Sequence, residues 1–143
     1  MLGLVTQRAQ EVDTLIVDGL RNMLFVGLEP TVGFDLAALN MQRGRDHGLP
    51  TYNQMRGILG LETYDGWNDA DLTFTAEVIK SLTGEYGPMA FGDFDLWIGG
   101  LAEAHRGDCL LGELFTMIVG GQLDALRKGD RFWFEHDGMF EDE

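Results

Sequence analysis

Apolar residues at helical spacing, interrupted by glycine and proline, are the feature of this 143-residue chain that most restricts its fold. Side chains at positions i, i+3, i+4 and i+7 lie on one face of an α-helix. The spacing predicts an all-α, multi-helical fold with at least five helices and little or no strand. The predicted helices span residues 6–25, 35–44, 51–60, 73–86 and 110–128, with a short helix that begins at Leu96.

Length and composition suit one domain with a core of its own, and no linker or internal repeat divides the chain. A formal net charge of −14 disfavours binding to nucleic acid or to an anionic membrane surface. No stretch reaches the roughly 18 apolar residues of a membrane span, and the first residues show no signal peptide. The single cysteine, Cys109, excludes an internal disulfide framework and is expected to be a small packed side chain beside Leu110.

Local signals indicate where helices begin and which faces they bury. Asp35 is predicted to cap the second helix, and Thr51 and Gln54 to form a capping box for the third. Gly99 and Gly100 should weaken the helix that begins at Leu96 by about 1 kcal/mol each. The residues predicted to face inward on the third, fourth and last helices are Met55, Ile58, Leu59, Phe74, Val78, Ile79, Leu82, Leu111, Leu114, Phe115, Ile118 and Ala125.

The second predicted helix carries polar groups on its apolar face. Leu36, Leu39, Asn40 and Arg43 share that face, and a buried polar group without a partner costs about 1–3 kcal/mol. One interpretation is a structural network, in which Asn40 holds a neighbouring backbone and Arg43 pairs with Asp46. The other is a ligand site, in which Arg43 binds an anionic group bidentately and Asn40 orients a partner side chain. The residues alone leave both open.

Other chemistries have little support in the sequence. The three histidines, His47, His105 and His136, do not pair with the cysteine or with one another at metal-ligand spacing, so no metal site is predicted. There is no nucleophile elbow and no phosphate-binding loop. The many carboxylates are interpreted as a solvated surface.

The segment around the polar face has a familiar pattern. From Asp35 to Asn53 it reads Asp-Leu-Ala-Ala-Leu-Asn-Met-Gln-Arg-Gly-Arg-Asp-His-Gly-Leu-Pro-Thr-Tyr-Asn. This resembles the signature of the animal-type haem peroxidases, the myeloperoxidase-like members of the peroxidase–cyclooxygenase superfamily, here of a bacterial type. Three further blocks agree in order and spacing: residues 8–13 with 20–25, residues 95–103 and residues 129–135. The resemblance covers about residues 7–140.

The resemblance implies a mostly helical fold around a haem. It implies that Asn40 hydrogen-bonds the proximal histidine, that Arg43 contacts a haem propionate, and that Leu24, Phe25 and Leu36 lie beside the haem. His47 is expected to be a structural hydrogen-bonding residue rather than an iron ligand. The implied activity is oxidation of the haem by hydrogen peroxide, followed by electron transfer from a halide or an organic donor.

The family's proximal and distal histidines, its catalytic arginine and its calcium loop have no counterpart here. Residues 1–143 are therefore expected to form the C-terminal portion of a haem peroxidase domain. The alternative is a non-catalytic helical fragment that has lost haem binding or acts only with a complementary chain. Either way, we expect an exposed apolar surface, bordered by Leu24, Phe25, Leu36 and Leu39, that favours self-association or a complementing chain.

Overall fold

A computed structural model describes residues 2–27, 33–70 and 73–140. The described residues form seven α-helices and one 3-10 turn, and their only β-pairing consists of two isolated bridges, Leu24 with Phe34 and Thr51 with Asp95. The predicted all-α class is therefore confirmed. The helices are α1 (Leu2–Thr6), α2 (Asp18–Arg21), α3 (Leu36–Asp46), α4 (Tyr52–Ile58), α5 (Ala76–Tyr86), α6 (Leu96–Ala102) and α7 (Glu113–Gly129), with the 3-10 turn at Phe91–Asp93 before α6.

The core lies between α4, α5, α6 and the first turns of α7. Its centre is aromatic: the ring centroids of Tyr52 and Phe94 are 4.7 Å apart, and those of Trp67 and Phe91 are 4.9 Å apart. Phe74 and Leu82 are buried and Val78 and Ile79 pack against them, which confirms the predicted stripe of α5.

The glycine pair in α6 is explained by close packing. A Cβ atom at Gly99 would lie 2.2 Å from Cδ2 of Tyr52, and one at Gly100 would lie 2.1 Å from Cε1 of Phe115. Both distances are far below van der Waals contact, so α6 can approach α4 and α7 only because it lacks these side chains. The helix propensity lost at the glycines is offset by the aromatic contacts that they permit.

A buried charge network joins α4, α6 and α7. Arg56 is completely buried and donates from Nη1 to Glu103 at 2.7 Å and from Nη2 to Glu113 at 2.7 Å. The hydroxyl of Tyr52 donates to Glu103 at 2.6 Å, and the second oxygen of Glu103 accepts the backbone N–H of Leu114 at 2.7 Å. The expectation that the carboxylates form a solvated surface is wrong for Glu103, because this carboxylate neutralises a buried guanidinium.

The predicted first helix over residues 6–25 is not formed. Within that range the structure has α2 and the last residue of α1, and residues 7–17 are not helical. Leu15 is 82% exposed and Leu20 is 39% exposed, whereas Val12 and Ile16 are half-buried, so only part of the predicted apolar stripe packs against other described residues. Helices of this length gain most of their stability from burial of one face, and without it the periodicity alone does not form a helix.

Three smaller expectations are also wrong. Ile58 is 69% exposed, because the inward positions of α4 are taken by Tyr52 and Arg56. Cys109 is exposed, since it lies in the turn before α7 rather than against the core. Ala125 is exposed because α7 leaves the core after Ile118. Among the described residues, no helix combines the length and apolar character needed to cross a membrane.

Candidate functional site

Helix α3 carries the candidate site, and both of its ends are fixed by local hydrogen bonds. The carboxylate of Asp35 accepts the backbone N–H groups of Ala37 at 2.9 Å and Ala38 at 3.2 Å, which confirms the predicted cap. The helix continues past Gly44, where it was predicted to end. It ends at Asp46, and Gly48, with a φ of 68° and its N–H donating to the Arg45 carbonyl at 3.1 Å, closes a Schellman-type end.

One side of α3 is anchored to α6 by an ion pair. Arg45 donates from Nε at 2.8 Å and from Nη2 at 2.6 Å to the carboxylate of Asp95, which also accepts the Tyr86 hydroxyl. Hydrogen bonding to Arg45 holds the pKa of Asp95 below its usual range. Burial, with hydrogen bonding to Asp95, raises the pKa of Tyr86 to about 12. Arg45 therefore pairs with the residue that precedes α6, and the pairing of Arg43 with Asp46 that the sequence allowed is not formed among the described residues.

The other side of α3 carries Leu36, Leu39, Asn40 and Arg43. The first three are half-buried and Arg43 is exposed. Arg43 contacts the His47 ring at 3.3 Å, and no described carboxylate lies within salt-bridge distance of it. The side chain of Asn40 makes no hydrogen bond to another described residue. The structural network that the sequence allowed at these two positions is absent from the described part of the chain.

A small cleft separates α3 from α6 beside Asn40. It has a volume of about 210 Å³, and its lining includes Asn40, Thr51 and Trp97. The predicted capping box at the start of α4 is confirmed, and the Gln54 side chain accepts the Thr51 N–H at 3.1 Å. Asn40 thus has a polar opening next to it that can admit a hydrogen-bonding partner.

The segment before α3 folds back on itself at Leu24 and Phe25. Backbone hydrogen bonds of 3.3 Å and 3.0 Å join Leu24 to Phe34, two residues before Leu36. A Cβ at Gly33 would lie 2.0 Å from the Asn22 carbonyl oxygen, so this close approach requires glycine. Phe25 has a φ of 63° and is 59% exposed. The structure therefore places the two predicted apolar contacts near the N-terminal end of α3, with Phe25 in a strained conformation.

A larger cavity, of about 800 Å³, lies between the non-helical segment, α5 and α6. Its apolar lining does not include Asn40, Arg43 or Phe25, so it is separate from the candidate site. The apolar residues that line it are Val12, Leu15, Ile16, Ala37, Val78, Leu82, Trp97, Ile98 and Leu101.

Two features of the site were missed by the sequence analysis. The Arg45–Asp95 ion pair joins residues far apart in sequence, and only their opposite charges hinted at it. The Arg43–His47 contact spans four residues on one helix, a spacing at which side chains meet, so it was readable in principle.

Comparisons with known proteins agree along the whole chain. The profile of the family described as animal haem peroxidase matches residues 1–143. Thyroid peroxidase of Sus scrofa is 42% identical over 141 residues, which cover 96% of this chain and 15% of that protein. The structure of peroxidase A from Dictyostelium discoideum matches with a TM-score of 0.82 at 38% identity, over 96% of this chain and 26% of that one.

A solved fatty acid α-dioxygenase from Arabidopsis thaliana is also similar, with a TM-score of 0.66 at 28% identity over 80% of this chain and 18% of that one. The chain thus spans well under a third of the length of each of these relatives. Identity of about 40% to the two peroxidases, together with the profile match, decides the family. This chain belongs to the animal haem peroxidase family.

Proposed function

We propose that this chain supplies the propionate-binding and proximal side of the haem site of a peroxidase that uses hydrogen peroxide. Family membership supports haem and peroxide as the reactants. The observation that carries the assignment is the face of α3 on which the exposed guanidinium of Arg43 and the half-buried amide of Asn40 continue the apolar stripe of Leu36 and Leu39. Because the chain spans a small part of its relatives, the activity is proposed for the site rather than for these residues alone.

Arg43 fits a haem propionate by its charge and donor geometry. A guanidinium presents five N–H donors in a planar fork that matches a carboxylate. The described residues place no carboxylate within salt-bridge distance of Arg43, whereas Arg45 has one and Arg56 has two. Arg43 is thus the arginine on this helix face that is available to an anionic ligand.

Asn40 fits the second contact, in which its amide oxygen accepts the N–H of the imidazole that ligates iron. Such a hydrogen bond fixes the tautomer of the imidazole and raises its basicity as a ligand. Two histidines of this chain are engaged elsewhere, since His47 contacts Arg43 and Nε2 of His105 lies 2.7 Å from the Val12 carbonyl oxygen. The resemblance to the family offers no counterpart of the proximal histidine among residues 1–143, so we propose that the iron-bound imidazole comes from a separate polypeptide segment.

Haem, when bound, supplies the redox chemistry by reacting with hydrogen peroxide and then taking electrons from a donor. Leu24, Phe25 and Leu36 would pack against the apolar porphyrin and exclude water from that side. Arg43 would neutralise a propionate, and Asn40 would hold the proton on the outer nitrogen of the imidazole. Each role needs a side chain that a ligand can reach. The side chains of Phe25 and Arg43 are exposed, and those of Leu24, Leu36 and Asn40 are half-buried.

A haemin titration followed by absorbance tests the propionate contact. Loss of a charge-assisted hydrogen bond costs about 1.5–3 kcal/mol, so Arg43→Met should weaken haemin binding roughly tenfold or more. The matched control is Arg127→Met, because Arg127 on α7 is also exposed but pairs with Glu135. Equal haemin affinity in Arg43→Met and the unmodified chain would contradict the assignment.

Free imidazole can supply the missing ligand and so test Asn40. With imidazole present, Asn40→Leu should weaken formation of the imidazole-ligated haem spectrum while leaving haemin binding without imidazole unchanged. Peroxide consumption with an organic donor is then measured on the same samples. A chain that gives no haem spectrum at any haemin or imidazole concentration supports the alternative of a non-catalytic helical unit.

Exposed apolar side chains support a polypeptide partner over the same region. Leu20, Met23, Phe25 and Phe34 are all more than a third exposed around α2 and the start of α3. We propose that a second copy or a complementing peroxidase chain covers this surface in the working protein. Light scattering over a concentration series distinguishes these partners, because a second copy produces dimers of the pure chain and a complementing chain leaves it monomeric.

A further inference from the structure

The His47 ring makes two contacts with a single residue. Its Nδ1 lies 2.9 Å from the backbone carbonyl oxygen of Arg43, and its Nε2 lies 3.3 Å from Nη2 of the same arginine. The imidazole therefore closes a loop from the helix backbone to the end of the Arg43 side chain. Arg43 and His47 are both exposed, so helix packing does not impose this arrangement.

The chemistry of the two contacts selects one protonation state. A carbonyl oxygen only accepts hydrogen bonds, so Nδ1 must carry a proton and donate it. A guanidinium only donates, so Nε2 must be unprotonated and accept from Nη2. Both contacts are made only by the neutral ring with its proton on Nδ1.

We propose that His47 is a positioning residue for Arg43, with its neutral imidazole holding the guanidinium in place for a carboxylate ligand; this inference rests on the proposed function of Arg43. One Nη2 N–H is used by the ring, and the remaining N–H groups stay available for bidentate contact with a carboxylate. A fixed guanidinium loses less side-chain entropy on binding than a free one.

A second proton on the ring ends this contact. Protonated Nε2 is a donor facing another donor, and two positive charges then lie about 3.3 Å apart. The other charged group at the ring is Asp46, whose Oδ2 lies 4.0 Å from Nδ1. Among the described residues, no hydrogen bond or ion pair from another helix reaches the ring. The strength of carboxylate binding should therefore fall as the solution becomes acidic.

Two substitutions separate positioning from mere surface contact. His47→Ala removes the acceptor, while His47→Gln keeps an acceptor oxygen that does not titrate. Loss of an exposed hydrogen bond corresponds to roughly a 2- to 10-fold change, so we expect His47→Ala to weaken haemin binding by that factor. His47→Gln should bind haemin within about twofold of the unmodified chain, because the amide replaces the imidazole acceptor.

The dependence on pH is the sharper comparison. Haemin affinity is measured at about pH 8 and about pH 5, on either side of the range in which an ordinary imidazole titrates. The unmodified chain should lose more affinity on acidification than His47→Gln, which has no imidazole at this position. Protonation of the propionates affects both proteins alike, so the difference between them reports on His47. Equal losses would overturn the proposal.

A measurement without haem keeps this test independent of the proposed function. NMR of the Arg43 side-chain N–H groups should show a more ordered guanidinium in the unmodified chain and in His47→Gln than in His47→Ala. If haemin fails to bind any variant but this ordering is seen, the proposed function fails for the isolated chain and the positioning role stands. An equally mobile Arg43 in all three proteins would overturn the positioning role directly.

Discussion

Arg43 and Arg56 lie on consecutive helices, and their surroundings are opposite. Arg56 on α4 is completely buried and is neutralised by Glu103 and Glu113. Arg43 on α3 is exposed, and its recorded contact is the neutral ring of His47. The charge of Arg56 is therefore used within the chain, whereas that of Arg43 remains available to a ligand. One region is held together by its own ion pairs, and the other presents unpaired polar groups at an apolar surface.

This difference shows that helical spacing and residue type do not separate a structural arginine from a binding one. Arg56 follows Tyr52 by four residues and Arg43 follows Leu39 by four, so each extends the apolar face of its helix. Arg56 and Arg43 are distinguished by whether a carboxylate from a distant part of the sequence contacts the guanidinium. Glu103 does so for Arg56, across 47 residues.

The largest expected effect tests the buried half of this comparison. Glu103→Gln keeps the shape of the side chain but leaves Arg56 with Glu113 as its remaining counter-ion. Removing one partner of a buried ion pair costs about 3–5 kcal/mol. We expect a loss near the lower end of that range, measured as the free energy of unfolding in urea by circular dichroism.

The control for this prediction is Glu135→Gln, which removes the exposed partner of Arg127. An exposed ion pair contributes about 0–1 kcal/mol, so this variant should unfold almost like the unmodified chain. If Glu103→Gln were as stable as Glu135→Gln, the buried network would not be what holds α4, α6 and α7 together.

A second prediction concerns the close packing of α6 against α4. In Gly99→Ala the added methyl group meets the buried Tyr52 ring, and overpacking of this kind costs about 1–3 kcal/mol. In Gly120→Ala the methyl group enters open space on α7, where alanine should stabilise the helix by about 0.5–1 kcal/mol. Urea unfolding of the two variants should therefore give changes of opposite sign. Changes of the same sign would show that helix propensity, rather than packing, decides at Gly99.

The same contrast explains how far the sequence could predict the fold. The Asp35 cap and the α5 stripe were predicted because their partners lie within a few residues or inside the chain's own core. The helix predicted over residues 6–25 is not formed, and much of its apolar stripe is exposed among the described residues. Periodicity predicts which face a helix would bury, and only tertiary packing decides whether the helix forms.

The candidate site was predictable to a similar extent. Asn40 and Arg43 were singled out because polar groups on an apolar face need partners, and the structure leaves both without a carboxylate or amide partner in the described residues. The burial of Glu103 was not predicted, because the block over residues 95–103 resembles the family but does not name Arg56 as the partner of its last residue. Contacts between distant residues depend on the fold, which local pattern does not encode.

A third prediction tests how α3 is held against the core. Hydrogen bonding to Arg45 lowers the pKa of Asp95, so the folded state favours the ionised carboxylate. This stability is present above the ordinary pKa of an aspartate and is lost as the pH falls through the lowered value. Because Arg45 is largely exposed, its contribution should be below about 1 kcal/mol.

Arg45→Met should therefore reduce the acid dependence of stability. The measurement is urea unfolding at about pH 7 and about pH 3, around the usual aspartate range. Asp124→Asn, which removes the exposed partner of Lys128, is the control and should leave that dependence nearly unchanged. A steeper loss of stability in Arg45→Met on acidification would contradict the assigned role of the ion pair.

The smallest expected effect on stability concerns Phe25, which lies in the segment before α3. Among the described residues, Phe25 is the one non-glycine residue with a positive φ, and the left-handed conformation costs about 1–2 kcal/mol. Phe25→Gly removes that strain but adds flexibility to the unfolded chain, which costs about 0.5–1 kcal/mol. The stability of Phe25→Gly should therefore stay near that of the unmodified chain.

The control is Phe134→Gly. Phe134 is 60% exposed, against 59% for Phe25, but it lacks the positive φ, so this variant should lose stability. Haemin affinity should fall only in Phe25→Gly, because Phe25 is the ring that we propose contacts the haem. Backbone strain is concentrated at ligand-binding sites, and the positive φ of Phe25 agrees with such a role. Equal destabilisation by the two substitutions, with unchanged haemin affinity, would show that Phe25 belongs to the fold alone.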